Sequence, residues 1–154
     1  MNNLTSPDTI DALLNIRLND SDPEIRRIAL MDLVDTEDEE IVVPLLINAV
    51  NDVDANVRAE AAAALEGFET EEVVAALLSV LADSDVKVYA AASLSLAELK
   101  DRSLADILLG ALGASTGQAK AAIFRSLREL RSPGSLAPAL AAITDENEEV
   151  RQAA

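Results

Sequence analysis

The sequence contains no cysteine and no histidine. Without thiols it has no cysteine nucleophile and no thiolate zinc site, and without imidazole it lacks both a frequent metal ligand and the commonest general base. Aromatic residues make up 2% of the chain, namely Phe68, Tyr89 and Phe124, although 50% of it is apolar. The core must therefore be built from Ala and aliphatic side chains. Ala and Leu supply most of that mass and are strong helix formers, so an all-α chain is expected. No apolar run approaches the roughly 18 residues that a membrane span requires. The opening MNNLTSPDTI also lacks the basic and apolar regions of a signal peptide, so a soluble cytoplasmic protein without a membrane partner is expected. Positive charge is scarce, with 12 Lys and Arg against 28 Asp and Glu, a net charge of −16. A surface of that sign repels a phosphate backbone, which argues against DNA or RNA as a ligand.

What the chain does contain is repetition. Ile25, Val57, Val88, Ala119 and Val150 stand 32, 31, 31 and 31 residues apart. The same offsets carry Leu14 to Leu46, Leu77, Leu108 and Ala139, and Leu18 to Val50, Leu81, Leu112 and Ile143. They also carry Ala29 to Ala61, Ala92, Ile123 and Ala154, and Leu33 to Leu65, Leu96 and Leu127. Each unit thus holds two apolar stripes at helical spacing, the pattern of a two-helix repeat.

The turn inside each unit is equally regular. Asp22, Asp54, Asp85, Thr116 and Asn147 lie three residues before the apolar residue that opens the second helix. All five are types whose side-chain oxygen can accept from first-turn amides. Pro23 follows Asp22, at the first helical position where its missing N–H costs nothing. The acidic clusters Glu37 to Glu40 and Glu69 to Glu72 read as starts of first helices, where the macrodipole favours negative charge.

A further column runs Asp20, Asp52, Asp83, Ala114 and Asp145, each six residues before Arg26, Arg58, Tyr89, Lys120 and Arg151. In the stretches NDSDPEIRRIALMDL, NDVDANVRAEAAAAL, ADSDVKVYAAASLSL and DENEEVRQAA this spacing resembles the HEAT repeat. The 31-residue period resembles its short, phycobilisome-lyase-like subclass. The resemblance implies a right-handed α–α superhelix, a HEAT solenoid of about four and a half helix pairs, in one domain spanning residues 1–154. It further implies an Asp/Arg ladder between neighbouring units, carried by Asp20, Arg26, Asp52, Arg58, Asp83, Asp145 and Arg151. Tyr89 and Ala114 depart from the pattern, so the ladder is expected to weaken around the fourth unit.

The units divide at about 7–38, 39–70, 71–101, 102–132 and 133–154. The last is incomplete, because its second helix stops before a counterpart of Leu127. Solenoids usually need a polar capping repeat at each end. The expectation is therefore that the chain continues or that this end meets another chain, self-association being one outcome.

In a solenoid of this kind the second helices line a concave surface. Their positions outside the core stripe form columns: Arg27, Ala59, Ala90, Ala121; Leu30, Ala62, Ser93, Phe124; Met31, Ala63, Leu94, Arg125; and Val34, Glu66, Ala97, Arg128. A solvated face would be rich in Glu, Lys and Gln, whereas this one is small or apolar with Arg near its ends. It is read as a groove for a partner helix, a peptide or a flat ligand, with Arg27, Leu30, Met31, Val34, Glu66, Ser93, Leu94, Phe124, Arg125 and Arg128 as its candidate residues. The competing reading rotates the helices by some tens of degrees and assigns part of these columns to the core. Residues 1–98 hold 21 acidic and 5 basic side chains, whereas residues 99–131 hold 3 and 6. The fourth unit is thus a basic island on an acidic rod, and a basic partner or an acidic, halophile-like solubility strategy would each suit the excess.

Three function classes follow. The HEAT resemblance implies a non-catalytic scaffold or adaptor for a protein or peptide, with no cofactor. The subclass implies an alternative, a bilin lyase-like or other cofactor-handling subunit. HEAT-repeat iron hydroxylases use His-Glu pairs, which a chain without histidine cannot supply. Carboxylate pairs can act as acid and base, but the repeated acids here sit at caps, helix starts and ladder positions. No metal site or catalytic residue is read from the sequence.

Overall fold

A computed structural model describes residues 7–35 and 38–154, with side chains from residue 12 onward. Glu37 of the first acidic cluster lies outside the described residues. Among the described residues ten α-helices follow in order: α1 Pro7–Leu18, α2 Pro23–Val34, α3 Glu39–Ala49, α4 Ala55–Ala64, α5 Glu71–Ser79, α6 Val86–Ala97, α7 Ala105–Leu112, α8 Gly117–Glu129, α9 Leu136–Ala142 and α10 Glu148–Ala153. Single 3-10 turns at Arg102–Leu104 and Pro133–Ser135 lead into α7 and α9. There is no strand among the described residues, and the chain is an all-α solenoid.

Side-chain caps set the entry to most helices. Asp22, Asp54, Asp85 and Asn147 accept from backbone N–H groups in the first turns of α2, α4, α6 and α10. Thr116 occupies the same position before α8 but forms no such bond. There the chain enters through a left-handed step at Gly117, φ +52°, a conformation that glycine adopts at little cost. Asp38 and Thr70 cap α3 and α5, leaving Glu39, Glu40, Glu71 and Glu72 in first turns where the helix dipole favours them.

The helices form two layers. Each even helix packs on the next even helix, α2 on α4, α4 on α6, α6 on α8 and α8 on α10, more closely than the odd helices pack on one another. The cause is side-chain size. Ala29, Ala61, Ala62, Ala92, Ala121 and Ala122 fill the even seam and are wholly buried, so these backbones approach to short range. The odd layer carries Val42, Leu46, Val73, Val74, Leu77 and Leu108, bulkier side chains that hold its helices apart. A solenoid whose even layer is tighter curves towards that layer, so the outward side of the even helices is the concave one.

The core lies between the layers. Leu33, Leu65, Leu96 and Leu127 from the even helices meet Leu46, Leu77 and Leu108 from the odd ones, all fully buried. At the two ends the pattern loosens. Ile25 is 37% exposed and Ile143 57%, because each faces a side on which no further unit packs among the described residues.

The close even seam makes a testable demand. Ala62 is fully buried, and its carbonyl accepts from Ser95 Oγ of α6 at 2.9 Å. Enlarging it in Ala62→Leu must push α4 and α6 apart, and overpacking of this kind costs about 1–3 kcal/mol. A lower midpoint in urea denaturation, with helical circular dichroism retained in water, is the expected outcome.

Candidate functional site

Polar contacts between units decide which side chains are free to act. Arg26 lies at the start of α2 and is 9% exposed. Its Nη1 donates to the Asp20 carbonyl of its own turn at 2.7 Å. Nε and Nη2 grip the two carboxylate oxygens of Asp52 in the next unit, at 2.8 and 2.7 Å. Arg58 repeats the arrangement with the Asp52 carbonyl at 2.9 Å and the Asp83 carboxylate at 2.7 and 3.0 Å. Each carboxylate also accepts from the amide two residues on, Asp54 N for Asp52 and Asp85 N for Asp83. Such planar, two-point pairing is what guanidinium does and ammonium does not.

The ladder then changes character. Tyr89 replaces Arg and donates its hydroxyl to the Gln118 carbonyl at 3.3 Å, while Ala114 offers no carboxylate. Lys120 resumes contact through a single bond to Asp145 at 2.7 Å. Arg151 donates through Nη1 to the carbonyls of Asp145 and Glu146.

These contacts shift the acids involved. Burial works against ionisation of Asp52, yet the Arg26 fork and the Asp54 amide outweigh it and hold the carboxyl below its usual range. The Arg58 fork does the same for Asp83 against the opposing effect of burial, and Lys120 does so for Asp145.

The concave face is smaller than the sequence suggests. Leu30 and Phe124 are 0% and 3% exposed, so neither belongs to an open groove; both are core. Neighbouring residues on a helix point about 100° apart, and this column turns into the cleft between even helices. Ser93 of the same column is half-buried. The adjacent column is open: Met31 is 49% and Leu94 66% exposed, Ala63 is exposed and Arg125 half-buried. Val34, Glu66 and Arg128 are exposed beside it.

Arg27 is not a free flank. Its guanidinium pairs with Glu24 through two bonds of 3.0 and 2.8 Å and reaches Glu60 of the next unit at 3.0 Å. It joins two units, and Glu60 was not singled out by the repeat pattern. Arg125, in contrast, has no ion pair among the described residues, and Arg128 has only a loose approach of 3.8 Å to Glu129. These two line a shallow depression with Glu149 and Gln152. A second inter-unit contact absent from the sequence reading joins the Lys100 amide to the Glu69 carboxylate.

A polar cleft of about 570 Å³ lies between the first two units, lined by Asn15, Asn19, Asn48 and Asn51 with Arg26 and Asp52 in its wall. Arg26 and Asp52 there are bonded to each other, and the Asp20 carboxylate accepts from the Asp22 amide. Among the described residues no group of three or more acids is placed to hold a metal ion, and no helix is long and apolar enough to cross a membrane.

The sequence matches the family of HEAT repeats over residues 10–96 and 74–154. None of the curated proteins matches it. Among solved structures it is similar to the complex of CpcE and CpcF of phycocyanin lyase from Nostoc sp. PCC7120, with 23% identity and a TM-score of 0.63. That match covers 99% of this chain and 65% of the other, so the chain spans 65% of that protein's length. It is also similar to an engineered protein, with 18% identity, a TM-score of 0.54 and coverage of 94% and 75%. At these identities the likeness concerns the fold.

The ladder predicts a pH signature. Asp52→Asn leaves the Arg26 fork without its counter-charge and should cost about 1–3 kcal/mol at neutral pH. Because the Asp52 pKa is depressed, its contribution is fully present above the unfolded value of about 3.9. It is lost as pH falls through the lower folded value. The gap in melting temperature between wild type and variant should therefore hold from neutral pH to about pH 5 and close below about pH 4.

Proposed function

The chain belongs to the HEAT-repeat family, and on that premise we propose that it is a non-catalytic scaffold that binds a protein or peptide on the concave face of its even helices. The observation that carries this reading is the open column Met31, Ala63 and Leu94 on three successive units. Those positions point away from the core, and an unpartnered face would be charged there. A line of apolar side chains across α2, α4 and α6 suits the apolar stripe of a partner helix or an extended peptide. The acidic excess of residues 1–98 favours a partner with basic residues beside that stripe.

The acids that would otherwise suggest catalysis have structural work. Asp22, Asp54 and Asp85 cap helices, Asp52, Asp83 and Asp145 pair across units, and Glu24 and Glu60 hold Arg27. The shared fold with the CpcE and CpcF complex supports a second reading, a bilin-handling accessory subunit, and supports it through the fold alone.

Affinity capture with the 154-residue chain tests the scaffold. Leu94→Glu and Met31→Glu alter exposed side chains and should leave circular dichroism and melting unchanged, while each reduces the retained partner about tenfold or more. Equal retention by wild type and both variants would remove the concave face from consideration. Titration with a linear tetrapyrrole, followed by absorbance, should show no saturable spectral change; a saturable one would favour the second reading.

A further inference from the structure

Neighbouring even helices are joined unequally along the rod. Between α2 and α4 the Arg26–Asp52 fork is backed by Arg27 Nη1 donating to Glu60 at 3.0 Å. Between α4 and α6 the Arg58–Asp83 fork is backed by two bonds of 2.9 Å, Lys87 Nζ to Asn56 Oδ1 and Ser95 Oγ to the Ala62 carbonyl. Between α6 and α8 the 3.3 Å contact from the Tyr89 hydroxyl to the Gln118 carbonyl is the one side-chain hydrogen bond among the described residues. No ion pair crosses that seam among the described residues, whereas ion pairs cross both seams before it and the one after it.

Two further features fall on the same seam. Of the four neighbouring even pairs, α6 and α8 pack least closely. Entry to α8 is also the one even-helix entry without a side-chain cap bond, since Thr116 forms none and the chain turns through left-handed Gly117. What remains between α6 and α8 is apolar, with Ala92, Ala121 and Phe124 buried. Apolar contact is non-directional and tolerates sliding and tilting, whereas a two-point fork fixes distance and angle together. The odd layer shows no matching break, because α5 packs on α7 at least as closely as α3 packs on α5. The seam is therefore firm on its odd side and loose on its even side.

We propose that the α6–α8 seam is a hinge, about which the segment from α7 onward tilts against the first three units, with the α5–α7 packing as pivot. Opening and closing then occur on the concave side and change the distance between Leu94 of α6 and Arg125 of α8. The forks at Arg26 and Arg58 hold the first three units as one stiff body, so Met31, Ala63 and Leu94 move together. Such a bend needs only small shifts of packed helices past one another. The inference stands whether or not the concave face binds a partner.

The chain has no cysteine, so two introduced cysteines carry nitroxide labels without background, and double electron–electron resonance reads the spread of distances between them. Glu24, Asn56, Lys87 and Gln118 are exposed and occupy the same position in four successive units. Glu24→Cys with Lys87→Cys spans two forked junctions, whereas Asn56→Cys with Gln118→Cys spans one forked junction and the α6–α8 seam. Both pairs lose the Lys87–Asn56 bond, so its loss does not bias the comparison. The second distance distribution should be at least about twice as wide as the first. Tyr89→Arg with Ala114→Asp rebuilds the fork, because the new guanidinium stands where Arg26 and Arg58 stand in their units. The new carboxylate would accept from the Thr116 amide as Asp52 and Asp83 accept from those of Asp54 and Asp85. In that background the second distribution should narrow to the width of the first. Equal widths for the two pairs before the fork is rebuilt, or an unchanged width in a folded Tyr89→Arg/Ala114→Asp chain, would each overturn the proposal. The first comparison decides by itself if the rebuilt chain fails to fold.

Discussion

Close approach of the even helices is the constraint on which the remaining features depend. Backbones can come together in that layer because wholly buried alanines, among them Ala29, Ala61, Ala62 and Ala92, leave no bulk between them. Short spacing on one side with Leu and Val spacing on the other produces curvature, and curvature gives a concave face. The same approach lets Arg26 in α2 span the gap to Asp52 at the turn before α4. The paired fork then fixes register, since a slip of one residue would rotate the guanidinium away from its carboxylate.

Register along the rod is not uniform. Between α2 and α6 each junction has a two-point Arg-Asp pair and a carboxylate anchored by an amide. Between α6 and α8 a single long hydroxyl contact from Tyr89 replaces it, and the next junction relies on one ammonium bond from Lys120. Apolar packing compensates there: Ile123, Phe124, Leu127 and Leu130 are all buried, more bulk than α4 carries. The rod is thus held by electrostatic register in its first half and by side-chain volume in its second. The switch coincides with the change from acidic to basic surface.

Much of this is legible in the sequence. The period, four of five inter-helix caps and the spacing of the Asp and Arg columns depend on local sequence, which repetition averages over five units. What failed was rotation. Leu30, Ala62, Ser93 and Phe124 form a column of mixed size, and alanine gives no signal of which side is buried, so this column was indistinguishable from the Met31 column beside it. Burial of Leu30 and Phe124 became visible only with the helices in place. The Arg27 pairing was hidden for another reason. Glu24 lies one turn away in the same helix, but Glu60 comes from the next unit, and nothing local marks it. At Thr116 the residue type suggested a cap, yet the left-handed entry at Gly117 changes the geometry that a cap requires.

Net charge acts alongside these contacts. A chain at −16 repels its own copies at long range, and the first three units carry most of that charge. At the junctions, however, acids face guanidinium at hydrogen-bond distance, where short-range attraction outweighs a screened long-range term. The balance makes encounter slow and geometry selective: an approaching surface gains only where a cation meets an anchored carboxylate or where apolar side chains meet Met31 and Leu94. Both kinds of surface exist on this rod, in different places. The junctions between units carry the former and the even-helix face the latter, so holding the rod in register and the proposed recognition of a partner draw on different side chains.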